Sequence, residues 1–200
     1  ELVLRTRLEQ TVTETQGLRD QLSRFRADRF EVSTESQDGE SAEQTLRRQL
    51  QIIRLRVQQA GLQTSKAAEE LTGIAESLDD LLLEMVNNRV DSKDRQERLG
   101  VGVRDPLRRI VDVSMKQLNQ QIQSIEQSVA DPEQALAQTE LAIVTVDEVL
   151  LQLSAVLEKM LDLESYNELL DLVRGLIQDQ NQIKEDTQTE RKNRVKDLFK

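Results

Sequence analysis

The chain has no histidine, no cysteine and no tryptophan, and only 2% of its residues are aromatic. Without histidine it holds no Ser-His-Asp triad, no imidazole acid–base pair and no H-E-x-x-H zinc site. Without cysteine it holds no thiolate nucleophile or thiolate ligand. Catalysis would have to rest on carboxylates, lysines, Tyr166 or hydroxyls. Strand-forming residues are also scarce, and seven glycines and two prolines leave few breaks in 200 residues. These shortages point to one fold class: all-α, an elongated antiparallel helical bundle or coiled coil of about five helices. The lack of cysteine fits any compartment.

Charge is plentiful but uneven. Charged residues make up 32% of the chain and the formal net charge is −10. That balance argues against a nucleic-acid partner, because phosphate affinity comes mainly from Lys and Arg displacing counterions. Residues 31–45 hold five acids and no base, 46–66 five bases and no acid, and 69–86 six acids and no base. From 117 to 183 twelve acids face Lys159 and Arg174, and from 184 the tail carries six bases against four acids. Blocks of opposite sign suit neighbouring helices that must find one register. The most apolar run, Leu141 to Leu163, is interrupted by Asp147, Glu148, Glu158, Lys159 and Asp162, so no direct membrane insertion is expected. The chain opens on Glu1 rather than Met and closes just after Leu198 and Phe199. It reads as a piece of a longer protein whose targeting or anchoring signals lie elsewhere.

What the chain does have is a long periodic stripe. Leu46, Leu50, Ile53, Val57, Ala60, Thr64, Ala67, Leu71, Ile74, Leu78, Leu81, Met85 and Asn88 follow at alternating spacings of four and three. Such a stripe stays on one side of a helix and specifies a single adhesive seam. Start signals divide the rest. Ser41 with Gln44 and Ser165 with Glu168 are capping-box patterns. Asp105-Pro106 and Asp131-Pro132 place an acidic N-cap before a proline at the first helical position.

The first helix is expected from Leu2 to Ala27, with Leu4, Leu8, Val12, Thr15, Leu18, Leu22 and Phe25 on one face, followed by a polar connection from Arg29 to Glu40. The second should run from Ala42 to about Arg98 and stop before Gly100 and Gly102, with Gly61 and Gly73 as its weak points. The third, fourth and fifth are expected over Pro106–Ala130, Pro132–Leu163 and Tyr166 to near the end. The fourth carries a seam of Leu136, Thr139, Ile143, Val146, Leu150, Leu153, Leu157 and Met160. A second stripe of Ala142, Val149, Val156 and Leu163 runs beside it, and Val144, Leu151 and Leu161 widen the apolar surface further. A helix so broadly apolar calls for two or three partners.

The expected layout has residues 1–68 as an antiparallel coiled-coil hairpin of helix one with the start of helix two. Residues 69–200 form a four-helix bundle from the end of helix two with helices three, four and five, with helix two continuous across the boundary. Short links favour antiparallel neighbours, so the Asp131-Pro132 junction is expected to turn; the competing layout makes it a kink with helices three and four end to end.

The closing segment, Ser165-Tyr-Asn-Glu-Leu-Leu-Asp-Leu-Val-Arg-Gly-Leu-Ile-Gln-Asp-Gln through Glu190-Arg-Lys-Asn-Arg194, resembles the C-terminal coiled-coil part of large uncharacterised bacterial proteins with membrane or envelope anchors. The resemblance covers about the last 35 residues and brings no catalytic or ligand motif. It implies a helical architecture and an envelope location for the parent chain, in preference to the cytoplasm.

Candidate chemistry is thin. Asp79, Asp80 and Glu84 have the chemistry to hold a divalent cation if another helix supplied oxygens, but a solvated or ion-paired face is the expected reading. Asp91 and Asp94 resemble the start of a calcium loop, yet Lys93, Arg95 and Gln96 occupy positions that an EF-hand reserves for oxygens and glycine. No phosphate-binding glycine motif occurs. The basic block Arg47, Arg48, Arg54, Arg56 and Lys66 is the best candidate for an anionic partner, although pairing with acids of helix one, such as Glu9 and Glu14, is the expected use. Thr64, Asn88 and Thr139 are polar seam positions that set register or are simply tolerated. No catalytic, cofactor or metal site residue is therefore assigned. The sequence points to a non-enzymatic structural, scaffolding or protein–protein interaction module whose partners are other domains of the parent chain or a second copy, including a homodimer. The alternative is a signalling or sensory bundle that relays a conformational change near a membrane.

Overall fold

The structure, a computed structural model, describes residues 2–31, 42–88 and 93–198. All of the described segments are helical apart from the short turn at 128–131, and no strand occurs among them, as the composition requires. Four helices follow one another: α1 Leu2–Glu31, α2 Ala42–Asn88, α3 over 93–127, and α4 Pro132–Leu198. The chain divides into two compact units, Glu1–Met160 and Leu161–Lys200. The first unit contains the bundle and is described below; of the second, Leu169 and Leu176 on α4 are exposed.

Four sets of contacts close the bundle into a ring. Arg7 pairs with Glu70 and Lys66 with Glu14, so α1 and α2 run antiparallel. Asp79 of α2 accepts from Arg104 and Arg108 of α3, and Gln58 donates to Glu126, so these two are antiparallel as well. The Ser114 hydroxyl donates to Gln152, joining α3 to α4, and Arg19 pairs with Asp147, joining α4 back to α1. Because Ser114 and Gln152, 38 residues apart on either side of the turn at 128–131, come within 3.3 Å, the Asp131-Pro132 junction is a hairpin rather than a kink. The turn is built as its residue types dictate. The Ser128 amide closes α3 on the Ser124 carbonyl, and the Asp131 carboxylate accepts from the Gln134 amide at 3.2 Å as an N-cap ahead of Pro132.

Leucine and β-branched side chains fill the interior. α2 buries Ile53, Val57, Ala60, Thr64, Ala67, Leu71, Ile74, Leu78 and Met85, all members of its three-and-four spacing. α1 buries Leu8, Thr11, Thr15, Leu18, Leu22 and Phe25. α4 buries the second stripe, Ala142, Val149, Val156 and Leu163, and of its seam Thr139, Ile143, Val146, Leu153 and Met160, while Leu136, Leu150 and Leu157 are half-buried. Each fully buried leucine or valine contributes ~1.5–3 kcal/mol relative to exposure, so this interdigitation is what holds the bundle. Leu46 and Asn88 lie outside the residues whose side chains are described.

Three expectations are corrected. First, there are four helices among the described residues rather than five, because α4 continues through Ser165. A capping box starts a helix only where something stops the previous one, and no glycine or proline lies between Pro132 and Gly175; cooperative propagation carries the helix across. The fourth place in the bundle is consequently taken by α1, whose buried face meets α2 and α4. Second, α2 ends at Asn88, well before Arg98. Asn87 and Asn88, of a residue type whose side chain competes for backbone hydrogen bonds, occupy its last turn, and residues 89–92 lie outside the described residues. The first helix, conversely, runs on to Glu31, and the connection and Ser41 lie outside the described residues.

Third, Gly100, Gly102 and Asp105-Pro106 neither stop nor start a helix. α3 passes through them as α-helix Lys93–Leu99, π-helix Gly100–Arg104, α-helix Asp105–Arg109, π-helix Ile110–Met115 and α-helix Lys116–Gln127. In the first π segment the Asp105 amide donates to the Gly100 carbonyl, five residues back. A proline removes one amide donor and crowds the carbonyl four residues earlier, here that of Gly102; the wider π turn ahead of Pro106 relieves both. The buried residues follow the same changes of pitch. Leu99, Val103, Leu107 and Ile110 step by four, four and three, and then Met115 comes five later, across the second π segment.

Candidate interaction surface

The buried threonines are satisfied within their own helices. The hydroxyls of Thr11, Thr15, Thr64, Thr139 and Thr145 each donate to the carbonyl four residues back, at 2.7–3.1 Å. They offer a ligand nothing, and they tie no helix to its neighbour. Thr64 and Thr139 are thus tolerated seam positions rather than register pins.

The charged candidates are engaged on the flanks. Asp79 accepts from Arg104 and Arg108, and Arg104 also pairs with Asp105 at 2.6 Å, which raises its pKa together with the contact to Asp79. Asp94 pairs with Arg98 at 2.9 Å, while Asp91 lies outside the described residues. Asp80 and Glu84 are exposed on α2, and no group of three or more acids that could hold a metal ion occurs among the described residues. Of the basic block, Lys66 reaches Glu14 at 2.9 Å, the partner expected for it, and this hydrogen bond holds the Glu14 carboxyl below the ordinary carboxylate range. Glu9 is taken instead by Arg5, one turn away. Arg47, Arg48, Arg54 and Arg56 project from the exposed side of α2. On α3 a hydrogen bond from Lys116 lowers the Asp112 pKa, and on α1 the bond to Asp147 raises that of Arg19.

Clefts open in the helix–helix grooves. One of ≈ 370 Å³ opens between α1 and α2 over Leu22, Phe25, Val57 and Ala60, with Arg24 and Arg56 at its rim. Another, of ≈ 390 Å³, lies between α2 and α3 beside Gly61, Ser65 and Ile122. Their walls mix apolar and polar side chains, with Gln21, Arg24, Arg56 and Gln59 on the first and Gln58, Ser65, Asn119, Gln123 and Glu126 on the second, where Gln58 donates to Glu126.

The unusual feature is on the outside. Along α4, Leu141, Val144 and Leu151 are exposed, Leu151 at 74%, with Ala137 and Ala155 on the same stripe and Glu148 between. Along α2, Ile52, Leu55 and Leu62 are exposed, Leu62 also at 74%, with Gln59 between. In both helices the apolar positions fall at steps of three and seven, so each set lies along one line of its helix surface. Isolated exposed leucines are ordinary, but aligned ones mark a contact surface. The sequence assigns Val144 and Leu151 to the apolar surface that α4 buries in its own bundle; the structure turns them outward because Ala142, Val146, Val149 and Leu153 already fill the inward arc. Sequence reasoning misses Ile52, Leu55 and Leu62. Their signal is a second three-and-four spacing beside the seam, masked by the stronger one.

No helix of the described residues is long and apolar enough to cross a membrane. No protein-family model, no curated protein and no solved structure matches this chain.

Proposed function

We propose that this chain is a non-enzymatic helical module that acts by protein–protein contact, as a scaffold or spacer within a larger polypeptide. The observation that carries this reading is the pair of exposed apolar stripes on α2 and α4 of a bundle whose core is made of leucine and β-branched side chains. A surface of that kind recognises another helix face. The likeness of the closing segment to envelope-anchored proteins supports a parent chain of that location.

A second reading, a signalling bundle that relays a conformational change, draws support from one observation: the two π-helical segments of α3, where a residue's worth of register is stored and can be released. Thermal unfolding in the presence of a panel of divalent cations, nucleotides, amino acids and sugars separates the two. A ligand at about 100 times its Kd stabilises the folded state by ≈ 2.7 kcal/mol. The scaffold reading expects no shift in Tm across the panel. A saturable rise of several degrees with any member overturns it in favour of a sensory domain.

A further inference from the structure

We infer that the surface on α2 and the surface on α4 are two halves of one contact, made between copies of this chain in a head-to-tail manner. The inference rests on the interaction-module reading and names its partner. Three observations meet in it.

The two stripes match in form. Ile52, Leu55, Gln59 and Leu62 on α2 repeat the order apolar, apolar, polar, apolar of Leu141, Val144, Glu148 and Leu151 on α4, at identical spacing. Two helix faces of one spacing interdigitate along their length, as the seams inside the bundle do.

They are opposite in charge. The α2 stripe lies within residues 46–66, which carry five bases and no acid, and the α4 stripe within 137–158, which carry four acids and no base. Part of each set is already engaged: Lys66 with Glu14, Asp147 with Arg19, and Arg47, Arg48 and Arg56 in contacts of their own, so the two faces differ in the sign of their field rather than in a count of unpaired groups. Glu140, Glu148 and Glu158 make no ion pair among the described residues and stand on the exposed side of α4. An α4 face meeting a second α4 face would bring these acids together, and two α2 faces would oppose arginines. Only the crossed pairing satisfies both, and like-charge contact disfavours the others.

They sit at opposite corners. The ring α1–α2–α3–α4 puts α2 and α4 on a diagonal of the bundle. One copy therefore cannot close both stripes against the same face of a second copy. A contact between unlike surfaces that does not close leaves one free stripe at each end, and growth continues beyond the dimer.

Sedimentation of the 200-residue chain over a wide concentration range tests this with two variants. Ile52→Glu/Leu62→Glu blocks the α2 face, and Leu141→Lys/Leu151→Lys blocks the α4 face; helix content by circular dichroism checks that each stays folded. Ile52→Gln/Leu62→Gln and Leu141→Gln/Leu151→Gln serve if the charged versions unfold. The wild-type chain is expected to form species larger than dimers as concentration rises, and to dissociate on going from about 0.05 to about 0.5 M salt as screening strengthens. Each variant alone should lose at least about tenfold in association, as expected for removing central apolar contacts. Mixed, the two should form a 1:1 dimer and nothing larger, since each retains the face that the other lacks. A wild-type chain that stays monomeric overturns the inference, as does a single-face variant that still dimerises by itself, or a mixture that fails to pair. A monomeric result leaves the scaffold reading standing, because the ligand panel above is a separate measurement.

Discussion

α2 and α3 lie side by side in the same bundle and solve the same packing problem differently. α2 is 47 residues of uninterrupted α-helix, glycines included, and from Ile53 to Leu78 its buried seam keeps a spacing of three and four, with Ala75 buried beside it. α3 reaches the same core with a proline in its body and two π-helical segments, and its buried residues step by four, four, three and five. A regular helix meets its partner wherever the apolar period is regular. An irregular period can still be buried if the backbone changes pitch to match it. Side-chain burial thus dictates the hydrogen-bonding pattern in α3, where in α2 the two agree from the start.

The comparison is sharpest in the core. Leu71 of α2 and Leu107 of α3 are both fully buried. Leu71→Ala and Leu107→Ala should each lower the stability by ~2–5 kcal/mol in urea or thermal unfolding. If Leu107→Ala costs under about 1 kcal/mol while Leu71→Ala costs the full amount, the re-pitched part of α3 does not pack as described.

A smaller effect is expected where the two helices are tied by charge. Asp79→Asn removes the acceptor shared by Arg104 and Arg108, beside the first π segment, and should cost about 1 kcal/mol at low salt and less at high salt. An unchanged unfolding midpoint at both ionic strengths would show that the cluster holds no register.

Gly61→Ala should act in the other direction. An added Cβ there meets Ile122 Cγ2 at 3.6 Å, an ordinary contact, so the gain in helix propensity is kept. A stabilisation of about 0.5–1 kcal/mol is expected, and a loss in the melting temperature would reveal that α2 and α3 approach more closely at this level.

Acid should have the smallest effect of these. Glu14 and Asp112 have folded pKa values held below their ordinary values of 4.5 and 3.8 by lysine hydrogen bonds. The stability they contribute is fully present above those ordinary values and is lost as pH falls through the lowered, folded ones. Both are surface groups, so Glu14→Gln with Asp112→Asn should flatten the acid limb of a Tm-against-pH curve only slightly. A large flattening would mean that these pairs matter more than their exposure allows.

Which parts were legible in the sequence follows from how each signal works. The seam of α2, both buried stripes of α4, the Asp131-Pro132 hairpin and the Lys66–Glu14 pair were readable because periodicity and capping act within a few residues. The path of α3 was not. Gly100, Gly102 and Pro106 are breakers in isolation, and only the burial of Leu99, Val103 and Leu107 against α2 makes a widened helix preferable to a break. The outer faces were half legible. Val144 and Leu151 were visible as apolar, but which arc of α4 points inward depends on where its neighbours stand.

The residues by themselves determined an all-helical chain, the inward edges of its helices and the class of chemistry that it lacks, because composition and three-to-four spacing operate along one strand of the chain. The tertiary structure alone decided that α1 takes the fourth corner, that α3 runs on through its proline, and that the stripes of α2 and α4 look out from opposite corners. Those outcomes depend on which surfaces compete for the same core, and a chain read in one dimension does not contain that competition.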